Sequence, residues 1–413
     1  MKVDEVLQSI EKILSSYQGI HRLQKQIQSQ AKSNLEKRDF FKDKPKGFDY
    51  VQLHRFYGSF NQEKNYQDLA IQKKENQIVF VNGSYSKEYS SSSIKVDSLA
   101  ESKTFEAYFH KVNTEILQKS ENPFVAMSYA LDSDGIFIRF EENQQAEPLT
   151  ILNIVTRTDL KNLSSRIYIH CKENAKAKIH LIHQSLGPSI PTNLVTYVHQ
   201  DKCSEFKLIE SIGSKKIGFH QLYAHLKQEA KFNFFEINTS AELYRNEINI
   251  YLKEKQSDAN LYGLNLMTEN HEAHFFANVE HLAEETTSFQ QIKNISFDRS
   301  RTSFEGKIFV DPIAQQTKAY QLNQNLVLSE KAANFSMPNL QILADDVKAS
   351  HGATFAKIDE EALFYLQSRG VSLKKAKSLL IKSFVNELVD LIQDEELYTE
   401  LKKQIDEIVD RYL

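Results

Sequence analysis

Apolar residues recur along this chain with two different periods. Val3, Val6, Leu7, Ile10, Ile13, Leu14 and Tyr17 follow one another at three- and four-residue steps, which places them on one face of a helix. The stretch HRLQKQIQSQAKSNLEKR at 21–38 has few apolar anchors and reads as solvent-facing helix or linker. The first hundred residues thus read mainly as helix, with one interruption at QIVFVNGSYSKEY. There Val79–Val81 form a short apolar run, and Asn82-Gly83 is a tight-turn signal that predicts a hairpin.

From about Gly135 to Ile358 the period is two. In AKAKIHLIHQS, Ala175, Ala177, Ile179 and Leu181 fall on one side and Lys176, Lys178 and His180 on the other. SRIYIHC, KFNFFEIN, EINIYLK and KIFV are further short strands separated by charged or Asn/Ser-rich breaks. Helical patterns between them are not evident, which argues against βαβ units. Such a series suits a β-sandwich or a β-solenoid, and with no fixed repeat visible the pattern leaves both open. Helix then returns: Asp359 is placed to cap EEALFYLQSR, Gly370 to end it, and Ser372 to cap a second helix. Ala376, Leu379, Leu380, Phe384, Leu388 and Leu391 make one apolar stripe. Leu397, Leu401, Ile405, Ile408 and Tyr412 make another, and both read as the core of a small bundle.

Composition narrows the function classes. The 413 residues suffice for two or three domains or one extended repeat fold, and 41% hydrophobic with 26% charged residues excludes wholesale disorder. A net charge of -4 gives no reason to expect nucleic acid, no apolar run approaches a membrane span, and the N-terminal stretch lacks a signal-peptide core. Cys171 and Cys203 stand far apart, without zinc-ligand spacing, so a reducing, cytoplasmic setting and two small packed thiols are expected. No phosphate loop is present (GSKK at 213–216 lacks its flanking residues), nor GxGxxG, GxSxG, HExxH or an EF-hand loop. His271, His274 and His281 form a loose group that reads as surface or rung-edge histidines rather than a metal site.

The C-terminal third carries a resemblance. GKIFVDPIAQQTKAYQLNQNLVLSEKA at 306–332, ADDVKASHGAT at 344–354 and DEEALFYLQSRG at 359–370 strongly resemble the SufB/SufD family of iron–sulfur cluster assembly proteins. The order and spacing are those of its SufD side, and weaker agreement runs through FVNG at 80–83 and NPFVAMSYALDSDGIFIRF at 122–140. The resemblance implies a right-handed parallel β-helix (a mainly β, β-solenoid core) over 136–357. It would be flanked by a mostly helical region with a short hairpin over 1–135 and by a C-terminal helical domain over 358–413. It also implies a non-catalytic scaffold subunit of a SUF complex that pairs with a SufB-like chain and binds a SufC-like ATPase, supporting cluster assembly and iron acquisition. In isolation the chain could pair with a second copy of itself as a homodimer, which the sequence leaves open.

On the same grounds His351 is the candidate ligand for transient iron or a nascent cluster shared with SufB, and no cofactor is expected to stay bound to this chain alone. Neutral imidazole is a competent iron ligand. Close relatives usually carry cysteine two positions earlier, where this chain has Ala349. Asp345 and Asp346 would diverge if they lay on a strand, so rung-end hydrogen bonding or interface contacts are expected of them rather than acid–base work. Lys348 joins that surface, and Gly352 is expected to serve tight backbone packing. Asp359, Glu360, Leu363, Phe364, Tyr365 and Arg369 belong to the expected docking helix. The rival readings are a secreted-type β-helix enzyme acting on polysaccharide and a structural paralogue without cluster chemistry.

Overall fold

A computed structural model of the chain describes residues 27, 29–34, 48–52, 71–99, 106–120, 122–130, 134–156, 163–186, 191–213, 216–239 and 241–413. The helix expected around Val3–Tyr17 lies outside these residues, as does most of the stretch 21–38, of which 29–34 are helical. The molecule is mainly β, a β-solenoid of about seven turns with helices before and after it. That settles the choice between sandwich and solenoid.

Two sheets face each other. The first contains, from its C-terminal end, β19 (Val347–Ala356), β17 (Thr317–Val327), β15 (Thr287–Ser296), β13 (Asp258–Met267), β11 (Lys231–Asn238), β9 (Glu205–Ile212), β7 (Lys176–Ser185), β5 (Leu149–Val155), β1 (Gln77–Val81) and β2 (Ser84–Tyr85). The second contains β18 (Ala333–Ile342), β16 (Arg301–Val310), β14 (Glu272–His281), β12 (Leu243–Leu252), β10 (Ile217–Leu226), β8 (Pro191–Gln200), β6 (Leu163–Cys171), β4 (Asp134–Phe140) and β3 (Lys95–Ser98). From β4 onward even and odd strands segregate because successive strands alternate between the two sheets. All pairs are parallel except β1–β2 and β3–β4. The expected hairpin is β1–β2, with Asn82 and Gly83 both at positive φ and Phe80 opposite Tyr85. Residues 71–99 are therefore strands and turns, not helix.

Alternation explains the strands. Ala177, Ile179 and Leu181 of β7 face the interior, while Lys176, Lys178 and His180 face out. Inside, apolar residues of successive turns stack: Phe206 lies 5.8 Å from Phe232, and Phe275 lies 6.2 Å from Phe234 and 6.5 Å from Phe304. Each such buried ring contributes about 1.5–3 kcal/mol. A second interior ladder is polar. Asn265 donates to Asn294 at 3.0 Å, Asn294 to Asn325 at 2.9 Å, and Asn325 to the carbonyl of Thr354 at 3.0 Å, which fixes the register of β19.

One corner of each turn is a column of left-handed residues: Asn143, Asn174, Cys203, Glu229, Gln256, Glu285 and Gln316. The paired strands are offset by 26 residues at Ile217↔Leu243 and by 32 at Arg301↔Ala333, so no single repeat length shows in the sequence.

Helices cover both outer faces. α1 (Glu106–Lys119) and α2 (Pro123–Ala130) lie on the second sheet, where Val112, Ile116, Val125 and Tyr129 meet Phe137, Tyr168, Val195 and Tyr223. At the C-terminal end come α3 (Glu360–Ser368), α4 (Leu373–Val389) and α5 (Glu395–Tyr412). Asp359, Ser372 and Asp394 accept backbone N–H groups at their starts, and Gly370 at positive φ follows α3. α4 and α5 do not close a bundle on themselves. Their Ile381, Val385, Leu388, Leu401 and Ile405 pack on Ile209, Ile237, Leu264 and Ile295 of the first sheet. The buried stripe of α4 accordingly runs through Ala376, Ile381, Val385 and Leu388, and Leu379 and Leu391 are exposed.

The histidines of 271–281 are not surface residues as a group. His274 is buried between Ser303 Oγ (2.8 Å) and Glu272 (3.1 Å), and His281 between Thr286 Oγ1 (2.8 Å) and Ser288 Oγ (2.9 Å). Only His271 is half-buried, 3.8 Å from Glu269. Cys171 is buried and reduced, and Cys203 is a half-buried turn residue.

Candidate functional site

The C-terminal end of the solenoid is open. Among the described residues every inner strand has a neighbour on each side, but β18 pairs only with β16, and β19 only with β17. Two ten-residue strands therefore present free backbone edges side by side, an arrangement that templates pairing with another chain. Apolar side chains accompany them: Met337, Ile342, Leu343 and Phe355 are exposed, as is Ile313 in the preceding turn.

His351 sits in the middle of β19. Val347 and Ala349, four and two residues earlier, pack on the interior core, so His351 stands on the same inward side of the strand. It is in register with Gln321, which is in register with Gln290, and Gln321 donates to Gln290 at 3.4 Å. His351 is thus the exposed last member of an inward-facing polar column, presented at the mouth of the solenoid. Ala349 beside it leaves this subunit no thiol at that position.

Asp345 and Asp346 do not lie on a strand. They form the exposed bend between β18 and β19, where the Asp346 carbonyl accepts from Gln316 N at 2.6 Å and its N–H donates to Gln315 Oε1 at 2.9 Å. Lys348 is exposed on the outer side of β19. Gly352 is not demanded by packing: a Cβ there would meet only Leu322 Cδ1, at an ordinary 3.5 Å. The tight-packing expectation is corrected on that ground.

α3 follows within four residues of β19. Asp359 Oδ1 accepts from the N–H groups of Glu361 (2.9 Å) and Ala362 (3.1 Å), with Glu360 and Glu361 at the favourable N-terminal end of the helix. No residue of α3 is buried, Leu363 is half-buried, and Phe364 and Tyr365 are 73% and 58% exposed. Arg369 lies over the Tyr365 ring at 5.5 Å. A helix with two bare aromatic rings has a face that the described residues leave uncovered.

Residues 154–384, just over half of the chain, match the family description "SUF system FeS cluster assembly, SufBD core domain". The chain belongs to the SufB/SufD family. This SufBD chain is 30% identical over 202 residues to an iron–sulfur cluster assembly SufBD family protein of Synechocystis, covering 48% of this chain and 45% of that one. It is 39% identical over 127 residues to SufD of Escherichia coli, covering 31% and 30%. It is 26% identical over 303 residues to a SufBD family protein of Pyrococcus horikoshii, covering 71% and 66%. The first curated relatives are thus matched over less than half of their own length. Membership places the chain in the SUF system of iron–sulfur cluster assembly. Among the described residues no helix is long and apolar enough to cross a membrane.

One cluster escaped the reading of the sequence. Among the described residues, the group of three His, Cys, Asp or Glu side chains close enough to hold a metal ion is His170, His199 and Asp201, remote from the open end. His170 and His199 are 29 residues apart, one turn of the solenoid, so only the register brings them together.

Proposed function

We propose that this SufBD chain is a non-catalytic, SufD-like scaffold subunit of a cytoplasmic SUF complex. It pairs through β18 and β19 with a SufB-like chain and carries a SufC-like ATPase on its C-terminal helices. The observation that carries the reading is the open last turn, with two free strand edges, exposed apolar side chains and a central histidine. Edge-to-edge pairing would continue both sheets across the seam by main-chain hydrogen bonds. The bare face of α3 suits a docked protein, since Phe364 and Tyr365 are the aromatic type that anchors interfaces.

In this reading His351 lends a neutral imidazole to iron or a nascent cluster held transiently at the seam. The soft thiolate ligands come from the partner, because this chain has Ala349 beside the histidine. With no SufB-like chain present, the same edges would pair two copies of this chain. The nucleotide chemistry rests with the ATPase partner. Co-expression with SufB-like and SufC-like chains, followed by anaerobic reconstitution, tests the assignment. His351→Ala should lower the cluster yield while the three chains still co-purify; an unchanged yield refutes the ligand role, and failure of the chains to co-purify at all refutes the scaffold role.

A further inference from the structure

His170 and His199 are the second-last residues of β6 and β8 and are directly in register. The residues after them, Cys171 and Gln200, are buried, so both imidazoles project from the outer face of the second sheet. Their rings meet edge to face with centroids 5.2 Å apart. Asp201 opens the turn after β8, held by its N–H to the Cys171 carbonyl at 2.8 Å. Its carboxylate reaches back to both rings: Oδ2 is 2.7 Å from His170 Nε2, and Oδ1 is 3.4 Å from His199 Nε2. One donor atom from each residue falls within 4.8 Å of the other two, and all three side chains are partly open to solvent.

We propose that His170, His199 and Asp201 bind a divalent first-row transition metal ion. Bonds of about 2.0–2.2 Å to such an ion set neighbouring donors about 3 Å apart, and both carboxylate–imidazole pairs are already near that spacing. Two imidazoles and a carboxylate suit iron(II), cobalt(II) or zinc, and disfavour magnesium and calcium, which take oxygen ligands. Three protein ligands leave coordination positions for water.

Lys227 completes the picture. Its Nζ lies 2.6 Å from Asp201 Oδ1 and neutralises the carboxylate in the metal-free state. The side chain is 38% exposed and free to swing aside as the ion enters. A merely structural cluster would make Lys227 a stabilising partner, whereas a metal site makes it a competitor.

The test uses the full chain carrying His351→Ala, so that the seam contributes no imidazole. Under anaerobic conditions cobalt(II) is titrated and followed by its d–d absorption, and iron(II) by equilibrium dialysis. The expected result is one equivalent bound, weakened at least about tenfold by Asp201→Asn and by the double change His170→Ala/His199→Ala. Lys227→Met tightens it. Asp201→Asn is close to isosteric, and circular dichroism confirms that each variant is folded. Absence of binding to the parent chain, or equal binding by folded variants, overturns the proposal. Neither outcome bears on the role of His351, which is already removed.

Discussion

Lys293 fastens the C-terminal helices to the solenoid. It lies on β15, its side chain is fully buried beneath α4, and its ammonium donates to the Phe384 carbonyl at 2.7 Å and to Glu387. The same ammonium sits 4.3 Å from the centre of the Phe384 ring. A charge-assisted hydrogen bond of this kind contributes about 1.5–3 kcal/mol, and the ring contact about 0.5–2 kcal/mol. Glu387 is 63% exposed, so that ion pair adds little. Against these stands the cost of burying an ammonium, visible as a pKa pushed down by desolvation. Lys293→Met keeps the packed stem and removes the charge; a net loss of about 2 kcal/mol is expected. Lys293→Ala also removes the stem and should lose about 3–4 kcal/mol. Urea unfolding gives the totals, and hydrogen exchange over 373–389 shows whether α4 opens before the sheets. A methionine variant within about 0.5 kcal/mol of the parent chain would refute the claim that this contact holds the layer down.

Glu210 is buried and accepts from His183 (2.8 Å), His220 (2.9 Å), Tyr244 (2.8 Å) and Asn246 (2.7 Å); burial pushes its carboxyl up, but His220 and His183 outweigh it and hold the group well below the usual range. Glu210→Ala removes the acceptor that four buried donors share, leaving Asn246 its bond to Glu236 and Tyr244 its contact with His183, and should destabilise by about 3–5 kcal/mol in urea unfolding. Burial alone pushes His281 down to about 3, so the folded chain keeps it neutral while the unfolded chain takes up a proton below about 6.5. Stability therefore falls as pH drops through that window, and between pH 6.5 and 4.5 the parent chain should lose about 2–3 kcal/mol more than His281→Gln, read from denaturation at each pH. Phe364→Ser with Tyr365→Ser should leave thermal unfolding nearly unchanged, because both rings are exposed, while weakening capture of a SufC-like ATPase at least about tenfold in a pull-down titration.

Local chemistry was legible wherever neighbours in sequence decide it. The alternation of Ala175–Leu181, the turn at Asn82-Gly83, and the caps at Asp359 and Ser372 all depend on a few adjacent residues, and each is found as read. The solenoid repeat was not legible, because its spacing drifts between 26 and 32 residues. Its left-handed corner is filled by Cys203, Glu229 and Glu285 as readily as by asparagine. The stripe of α4 was misread at Leu379 and Leu391, since the face it buries is chosen by the sheet beneath it and not by a second helix.

The sequence by itself determined that this protein is built of short strands followed by capped helices, and its motifs placed His351 in a SufB/SufD setting. Only the tertiary structure decided what that histidine faces. Strand parity puts it on the inward side of β19, and β19 is the last strand of its sheet among the described residues, which leaves it at an open mouth. Only the tertiary structure, too, moved Asp345 and Asp346 off the strand into a bend, and set His170, His199 and Asp201 within reach of one ion. The physical reason is common to all of these. A strand fixes the direction of each side chain locally, but which chains of side chains become neighbours is set by the register between turns, and that register is held by stacked interior residues some thirty positions apart.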